Sequence, residues 1–152
     1  MGTTKGVTDL AVFAVRLVVG GLLVLAAVLK IGHSAELAAS IAGFRLLPAV
    51  VVGPLALALP YFELALGGYL VVGLFVRVAA IVACGQFVLY AIAIASAVIR
   101  HIPASCGCFG PNDAAVADWP HVAFDLALAS AGAFVAAGAP GVFALDRRLR
   151  PR

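Results

Sequence analysis

Residues 78–99 read VAAIVACGQFVLYAIAIASAVI, an apolar run without a single Asp, Glu, Lys or Arg. An α-helix rises about 1.5 Å per residue, so about 20 residues cross the hydrocarbon core of a bilayer. Backbone groups in lipid must be hydrogen-bonded internally, and barrel strands would be about half as long and alternate in polarity. The stretch therefore predicts a transmembrane helix.

Three more runs of this kind occur, at 10–29, 49–76 and 122–145, and each contains one charged residue: Arg16, Glu63 and Asp125 respectively. The chain of 152 residues is 64% hydrophobic and 11% charged. So few charges do not cover the surface of a soluble globular protein. The sequence predicts an all-α integral membrane protein, a four-transmembrane-helix bundle that forms a single domain over residues 1–152.

The stretch 31–47 between the first two runs carries apolar residues at helical spacing, namely Leu37, Ile41 and Phe44. This pattern predicts a short interfacial helix between helices 1 and 2, with Ser34 as its N-cap and Pro48 at its end.

Basic residues are distributed unequally between the two ends of the predicted bundle. Four spans place both termini at one end, which carries six basic residues, whereas the other end carries three. The first set is Lys5, Arg77, Arg147, Arg148, Arg150 and Arg152, and the second is Lys30, Arg45 and Arg100. The positive-inside rule predicts a multi-pass protein of the cell (inner or plasma) membrane with cytoplasmic termini. The net charge of +3 arises largely from the Arg-rich tail, which is typical of headgroup anchoring and does not indicate a nucleic-acid partner.

The third loop, at 100–121, contains two of the three cysteines in the motif CGCFG at 106–110. The predicted topology places it in the periplasm or outside the cell, where disulfides persist. Gly107 permits the backbone conformation that a disulfide ring of this size requires, and strained, exposed disulfides are the labile ones. We therefore predict that Cys106 and Cys108 are a catalytic thiol-disulfide pair.

Two other interpretations of the cysteine pair stay open. One is a structural disulfide, although closing so small a loop gains little unfolded-state entropy. The other is a thiolate metal site, but the spacing differs from the Cys-x2-Cys of zinc sites, so we predict no metal. Cys84 lies within the third span and is expected to be buried and inert. With three thiols, the chain needs a partner's cysteine pair or a quinone to pass electrons on.

Charged residues within spans are costly and mark function or packing. By their depths, Arg16 and Glu63 are expected to pair, as are Lys30 and Asp125 near the outer face. The alternative for these four residues is a proton, substrate or quinone site. Pro54 and Pro60 precede Glu63, and a proline kink there would open a polar pocket. Its expected lining is Gln86, Tyr90 and Tyr61.

Several segments together resemble the MauE/DoxX-type redox-associated membrane proteins. They are GLLVLAAVLK at 21–30, FRLLP at 44–48, LPYFELALGGYL at 59–70 and CGCFG at 106–110, together with Arg16. The resemblance implies that Cys106 and Cys108 are the redox pair and that Arg16, Lys30 and Glu63 match intramembrane polar positions of the family. Members of the MauE branch are implicated in producing disulfide-rich periplasmic enzymes, with the small subunit of methylamine dehydrogenase as the namesake, alongside a thioredoxin-like partner. The wider DoxX group includes subunits linked to quinone reduction.

The function predicted from the sequence is thiol-disulfide exchange between the Cys-Gly-Cys loop and a thioredoxin-fold protein, in support of the maturation of exported proteins. As an enzyme, the chain would be a thiol-disulfide oxidoreductase. Two alternatives belong to other classes: a non-catalytic membrane anchor for a redox enzyme, and a quinone-coupled oxidoreductase subunit. Quinone is the one cofactor that these alternatives imply. The physiological partner and the direction of electron flow stay open.

Overall fold

The computed structural model describes residues 2–105 and 116–146, with side chains from Gly6 onward. Cys106 and Cys108 lie outside the described residues, as does the Arg-rich tail from Arg147. In the described ranges the helices are α1 (Gly2–Lys30), α2 (Ser34–Gly43), α3 (Ala49–Val72), α4 (Val76–Ile99) and α5 (Trp119–Gly138). α1, α3, α4 and α5 contain stretches long and apolar enough to cross a membrane. The prediction of an all-α four-span bundle is confirmed.

The second span ends earlier than the predicted residue 76, at Val72. Gly73 follows in the left-handed conformation (φ 81°), and its N–H and that of Leu74 both donate to the carbonyl of Tyr69. A glycine in this conformation is a common helix terminator because it has no Cβ to clash. Hydropathy does not register this stop, since the residues on both sides of it are apolar.

The last span is also shorter than predicted, because α5 ends at Gly138 and the chain then turns back at Pro140. The returning segment is fixed by its polar groups. The carboxylate of Asp146 accepts hydrogen bonds from the N–H groups of Phe75 (2.9 Å) and Val76 (2.8 Å). These are N–H groups at the start of α4, which have no partner within the helix, so Asp146 caps α4 from a distant part of the chain.

The predicted helix between the first two spans forms, with different ends. Ser34 is its first helical residue, and the N-cap is His33, which makes no side-chain capping bond. The expected N-cap role of Ser34 was therefore wrong. The helix stops at Gly43, before Pro48, which is instead the N-cap of α3. The apolar face was predicted correctly, since Leu37 is buried and α2 packs against α3.

The bundle consists of two closely packed helix pairs. α1 packs mainly against α3 and α4 against α5, the pairs are joined through α1 and α5, and α3 makes few contacts with α4. Glycines permit the close approach within each pair. A Cβ on Gly67 would lie 2.7 Å from the carbonyl oxygen of Gly20, and one on Gly132 would lie 3.2 Å from that of Ala80. Small residues of this kind drive helix association in lipid, where burial of apolar surface contributes little.

Gly67 and Gly68 provide a matched test of this packing. We expect Gly67→Ala to destabilise the protein by about 1–3 kcal/mol, the usual cost of overpacking, because its new methyl group meets the α1 backbone. Gly68→Ala places the same methyl group where no atom lies within 4 Å and should be neutral or slightly stabilising. Thermal unfolding of both variants in nanodiscs measures the difference. Equal stability of the two variants would contradict the close α1–α3 contact.

Candidate functional site

A buried ion pair connects the end of α1 to the middle of α3. The Nζ atom of Lys30 lies 3.0 Å from Oε1 and 2.9 Å from Oε2 of Glu63. Lys30 is 3% exposed and Glu63 is 1% exposed. Helical side chains lean toward the helix N-terminus, so the ammonium group of Lys30 lies deeper in the bundle than its Cα and reaches the level of Glu63. The expected pairing of Arg16 with Glu63 was therefore wrong.

Two α4 side chains complete the coordination of the Glu63 carboxylate. Gln86 Nε2 donates to Glu63 Oε1 at 3.0 Å, and Tyr90 Oη donates to the same oxygen at 2.6 Å. Gln86 Nε2 also donates to Tyr90 Oη at 2.8 Å. A carboxylate only accepts, so the amide nitrogen of Gln86 must face it. We call Lys30, Glu63, Gln86 and Tyr90 the polar cluster; its hydrogen bonds offset part of the cost of burying two charges.

The expected pocket lining was correct for Gln86 and Tyr90 and wrong for Tyr61. Tyr61 is 57% exposed on the surface of the bundle. Because a helix turns by 100° per residue, positions 61 and 63 face roughly opposite directions. α3 continues as one helix through Pro54 and Pro60.

Asp125 lies next to the polar cluster without joining its hydrogen bonds. It is 4% exposed on α5, and its Oδ2 has no hydrogen-bond partner. Together with Lys30, Glu63 and Tyr90 it lines a cavity of about 30 Å³, which is enough for one water molecule. The expected Lys30–Asp125 ion pair is not formed, because Glu63 holds the ammonium group with both of its oxygens.

A large groove opens on the other side of the polar cluster, between α2, α3 and α4. Its volume is about 960 Å³. Its walls are apolar, and its polar lining includes Lys30, Gln86 and Tyr90 of the cluster. Typical wall residues are Leu37 and Phe44 near α2, Leu59 and Phe62 on α3, and Leu89 and Ala93 on α4. We call this feature the lateral groove. It exists because α3 and α4 belong to different helix pairs.

Arg16 forms a separate site at the end of the bundle that carries the chain termini. It is fully buried, and its guanidinium donates to the carbonyl oxygens of Pro140 (3.1 Å) and Phe143 (3.5 Å). Its Cζ also lies 5.3 Å from the ring centroid of Phe13. Arg16 thus holds the returning segment after α5. The structure brings Lys30, Glu63 and Asp125 together and places Arg16 elsewhere.

The base of the cysteine loop is fixed at the opposite end of the bundle. Ser105 and Val116 form an antiparallel bridge, and the N–H of Ala117 donates to the carbonyl of Ala104 at 2.9 Å. Ala104 and Ala117 are buried in a cluster that also includes Phe44. The chain segments on both sides of residues 106–115 are therefore held side by side.

Polar residues reinforce this base. Arg100 donates from Nη2 to the carbonyl of Phe44 and from Nε to that of Ser96, which ties α2 to the end of α4. Asp118 caps α5 by accepting from the N–H of His121 at 3.0 Å. That backbone hydrogen bond is the largest cause of a lowered pKa of the exposed Asp118, and the hydrogen bond to the His121 ring lowers the pKa further. The Asp118 carboxylate therefore still caps α5 at acidic pH, and the cap is lost only as the pH falls through the lowered pKa.

The comparison with known proteins gives a single consistent result. The family model "Methylamine utilisation protein MauE" matches residues 8–139, from the first span to the end of α5. The methylamine utilization protein MauE of Paracoccus denitrificans is 30% identical over 135 residues, which cover 88% of this chain and 73% of that protein. No solved structure matches the chain.

The Lys30–Glu63 pair can be tested by a double-mutant cycle. We expect Glu63→Met and Lys30→Met each to destabilise the protein by about 3–5 kcal/mol, since either change leaves a buried charge unpaired. The double variant Lys30→Met/Glu63→Met should be less destabilised than the sum of the two, because no charge remains. Thermal unfolding in nanodiscs provides all four stabilities.

Two controls make the cycle specific. Glu36→Met removes an exposed glutamate on α2 and should leave stability almost unchanged. The cycle of Arg16→Met with Glu63→Met should be additive, because the structure places these residues in separate sites. Additivity in the Lys30 cycle together with coupling in the Arg16 cycle would instead support the pairing expected from the sequence.

Proposed function

This chain belongs to the MauE family of membrane proteins, and we propose that Cys106 and Cys108 exchange disulfides with a thioredoxin-fold partner during the maturation of exported proteins. One thiolate attacks a sulfur of the partner's disulfide and forms a mixed disulfide, and one partner sulfur leaves as a thiolate. The second cysteine then attacks the mixed disulfide, which releases the partner with two thiols and leaves Cys106 and Cys108 joined. The same steps in reverse oxidise the partner.

The observation that carries the proposal is the fixed base of a short loop that contains Cys-Gly-Cys. The Ser105–Val116 bridge anchors the chain immediately before Cys106. An exposed, strained disulfide is reactive, whereas a disulfide that only joins neighbouring residues adds little stability. The third cysteine, Cys84, is half-buried where α4 meets Gly132 of α5. It lies about 22 Å before the end of α4, too far to exchange with the loop pair, so a partner's cysteine pair or a quinone must pass the electrons on.

The proposed orientation places the loop outside the cytoplasm, and one structural feature supports the charge argument. Of the three cations at the loop end, Lys30 is neutralised by Glu63 inside the bundle. This leaves Arg45 and Arg100 at the loop end against the six basic residues of the end with the termini, which the positive-inside rule assigns to the cytoplasm.

The name of the Paracoccus denitrificans relative connects that protein to methylamine utilization. We propose the same physiological context for this chain, with an exported enzyme of that process as the final recipient of the disulfides. The substrate of the chain itself would be the partner protein that carries them.

A trapping experiment tests the exchange reaction. We expect Cys108→Ser, expressed with Cys106 intact, to accumulate a mixed disulfide with a thioredoxin-fold protein, which non-reducing gels and mass spectrometry identify. Cys106→Ser is the reciprocal variant. The attacking residue is the cysteine that is left intact in the variant that accumulates the complex. We favour Cys106 as the attacker because Arg100 and His101 precede it in the sequence, and positive charge lowers a thiol pKa.

Cys84→Ser is the matched control and should leave the oxidation state of exported proteins unchanged. In the chain with all three cysteines, thiol labelling across a glutathione titration should show reversible oxidation of the loop pair. If Cys106→Ser and Cys108→Ser both leave the oxidation state of every exported protein unchanged and trap nothing, the exchange function is wrong. A scaffold that recruits a redox enzyme would then be the better description.

A further inference from the structure

We propose that the lateral groove binds an isoprenoid quinone, with the ring against Gln86 and Lys30 and the isoprenoid tail between α3 and α4. This inference concerns binding at the polar cluster. It goes beyond the proposed disulfide exchange and does not depend on the loop cysteines.

The position of the groove selects ligands that are dissolved in the bilayer. Gln86 lies about 15 Å from the start of α4 and about 20 Å from its end, which places the polar cluster near the middle of the span. The wall residues Phe62 and Leu89 are exposed on the outer surface of the bundle, where the hydrocarbon of the membrane surrounds them. A ligand therefore enters laterally from the lipid, and the apolar walls suit a long apolar tail.

The polar atoms of the groove require a ligand that has polar groups as well as an apolar tail. Gln86 is 6% exposed, and its Oε1 has no hydrogen-bond partner. A buried acceptor without a donor is destabilising, and the hydrocarbon core of the membrane provides no donor. Lys30 has three N–H donors, and the two Glu63 oxygens account for two of them. The groove thus presents an acceptor and a donor.

Both oxidation states of a quinone ring match this pair of groups. A hydroquinone hydroxyl can donate to Gln86 Oε1, and a quinone carbonyl can accept from the remaining N–H of Lys30. A hydrocarbon chain can do neither.

The groups behind the ring favour a quinone over other lipid alcohols. Interconversion of quinone and quinol moves two protons along with two electrons, so a site for both forms benefits from groups that hold protons. Glu63 and Tyr90 are directly hydrogen-bonded. Asp125 lies across the water-sized cavity with an unpartnered Oδ2. A sterol or an acyl chain undergoes no such proton exchange, so these titratable groups favour a quinone as the ligand.

The helix α2 covers the groove from the loop end. Leu37, Ile41 and Phe44 all line it, and Arg100 fixes the backbone of Phe44. The groove is therefore walled at this end and open along its length toward the lipid, which is the shape that a ring with a long tail requires.

Gly85 provides a variant that fills the groove without disturbing the cluster. It lines the groove, and a Cβ at this position would meet no atom within 4 Å. Gly85→Phe should therefore fold and occupy the space of the ligand. Gly21→Phe is the matched control, because Gly21 is exposed on α1 with equally open space and does not line the groove.

The experiment measures binding of decylubiquinone and decylubiquinol to the full-length protein in nanodiscs, by equilibrium dialysis and thermal shift. Decylbenzene, which has a ring and a tail but no oxygen, is the reference ligand. We expect saturable binding of both quinone forms, loss of about tenfold or more in affinity for Gly85→Phe, and unchanged affinity for Gly21→Phe. Gln86→Leu should weaken the quinol by about tenfold, the effect of one lost hydrogen bond, and the quinone less.

Three results would overturn the inference: equal affinity for decylbenzene, which would make the groove a site for any hydrocarbon; unchanged binding in Gly85→Phe; or no saturable binding at all. The double variant Cys106→Ser/Cys108→Ser should bind decylubiquinone as tightly as the wild-type chain. A failure of disulfide exchange and a failure of quinone binding are thus measured separately.

Discussion

The buried ion pair between Lys30 and Glu63 determines how the bundle is arranged. A charge in hydrocarbon is tolerated only when it is paired and hydrogen-bonded, so the end of α1 must lie where its ammonium group reaches the middle of α3. The close contact of Gly20 with Gly67 fixes the same two helices nearer the end of the bundle that carries the chain termini. One electrostatic and one steric contact therefore set the register of α1 on α3, and the chain beyond Lys30 must leave α1 at a level where α3 still continues.

The lateral groove follows from that arrangement. α1 ends at a level that is farther from the cysteine loop than the start of α3. The part of α3 nearest the loop therefore has no span beside it on the α1 side and is packed by the short α2. α4 packs against α5 instead, through the close contact at Gly132. The seam between α3 and α4 is therefore the least filled part of the bundle, and the side chains that α4 directs toward Glu63 lie at its base. A site with apolar walls and a polar end is the result.

Hydropathy was sufficient to predict the number of spans, because lipid imposes internal hydrogen bonding on every segment of this length. It was insufficient for their ends. The stop at Gly73 depends on backbone conformation, and the cap of α4 comes from Asp146, about 70 residues away, which no local pattern reveals. The four charged residues were identified from the sequence, but their pairing was not. Depth was judged from Cα positions, whereas Lys30 extends toward the N-terminus of its helix and Arg16 finds backbone carbonyls after α5. Tyr61 was assigned to the pocket by depth alone, without regard to the face of α3 on which it lies.

The polar cluster and the base of the cysteine loop are joined by α2. Phe44 lines the lateral groove and also packs with Ala104 and Ala117 at the base of the loop. Its carbonyl accepts from Arg100 at the end of α4. A single side chain is thus shared by the wall of the groove and the support of the loop. Close-packed interiors respond to a displaced side chain by moving its neighbours, so a change in the position of Phe44 alters both surroundings at once. Coupling in the full sense requires two arrangements that the two sites favour unequally, and Phe44 is one residue that belongs to the surroundings of both sites.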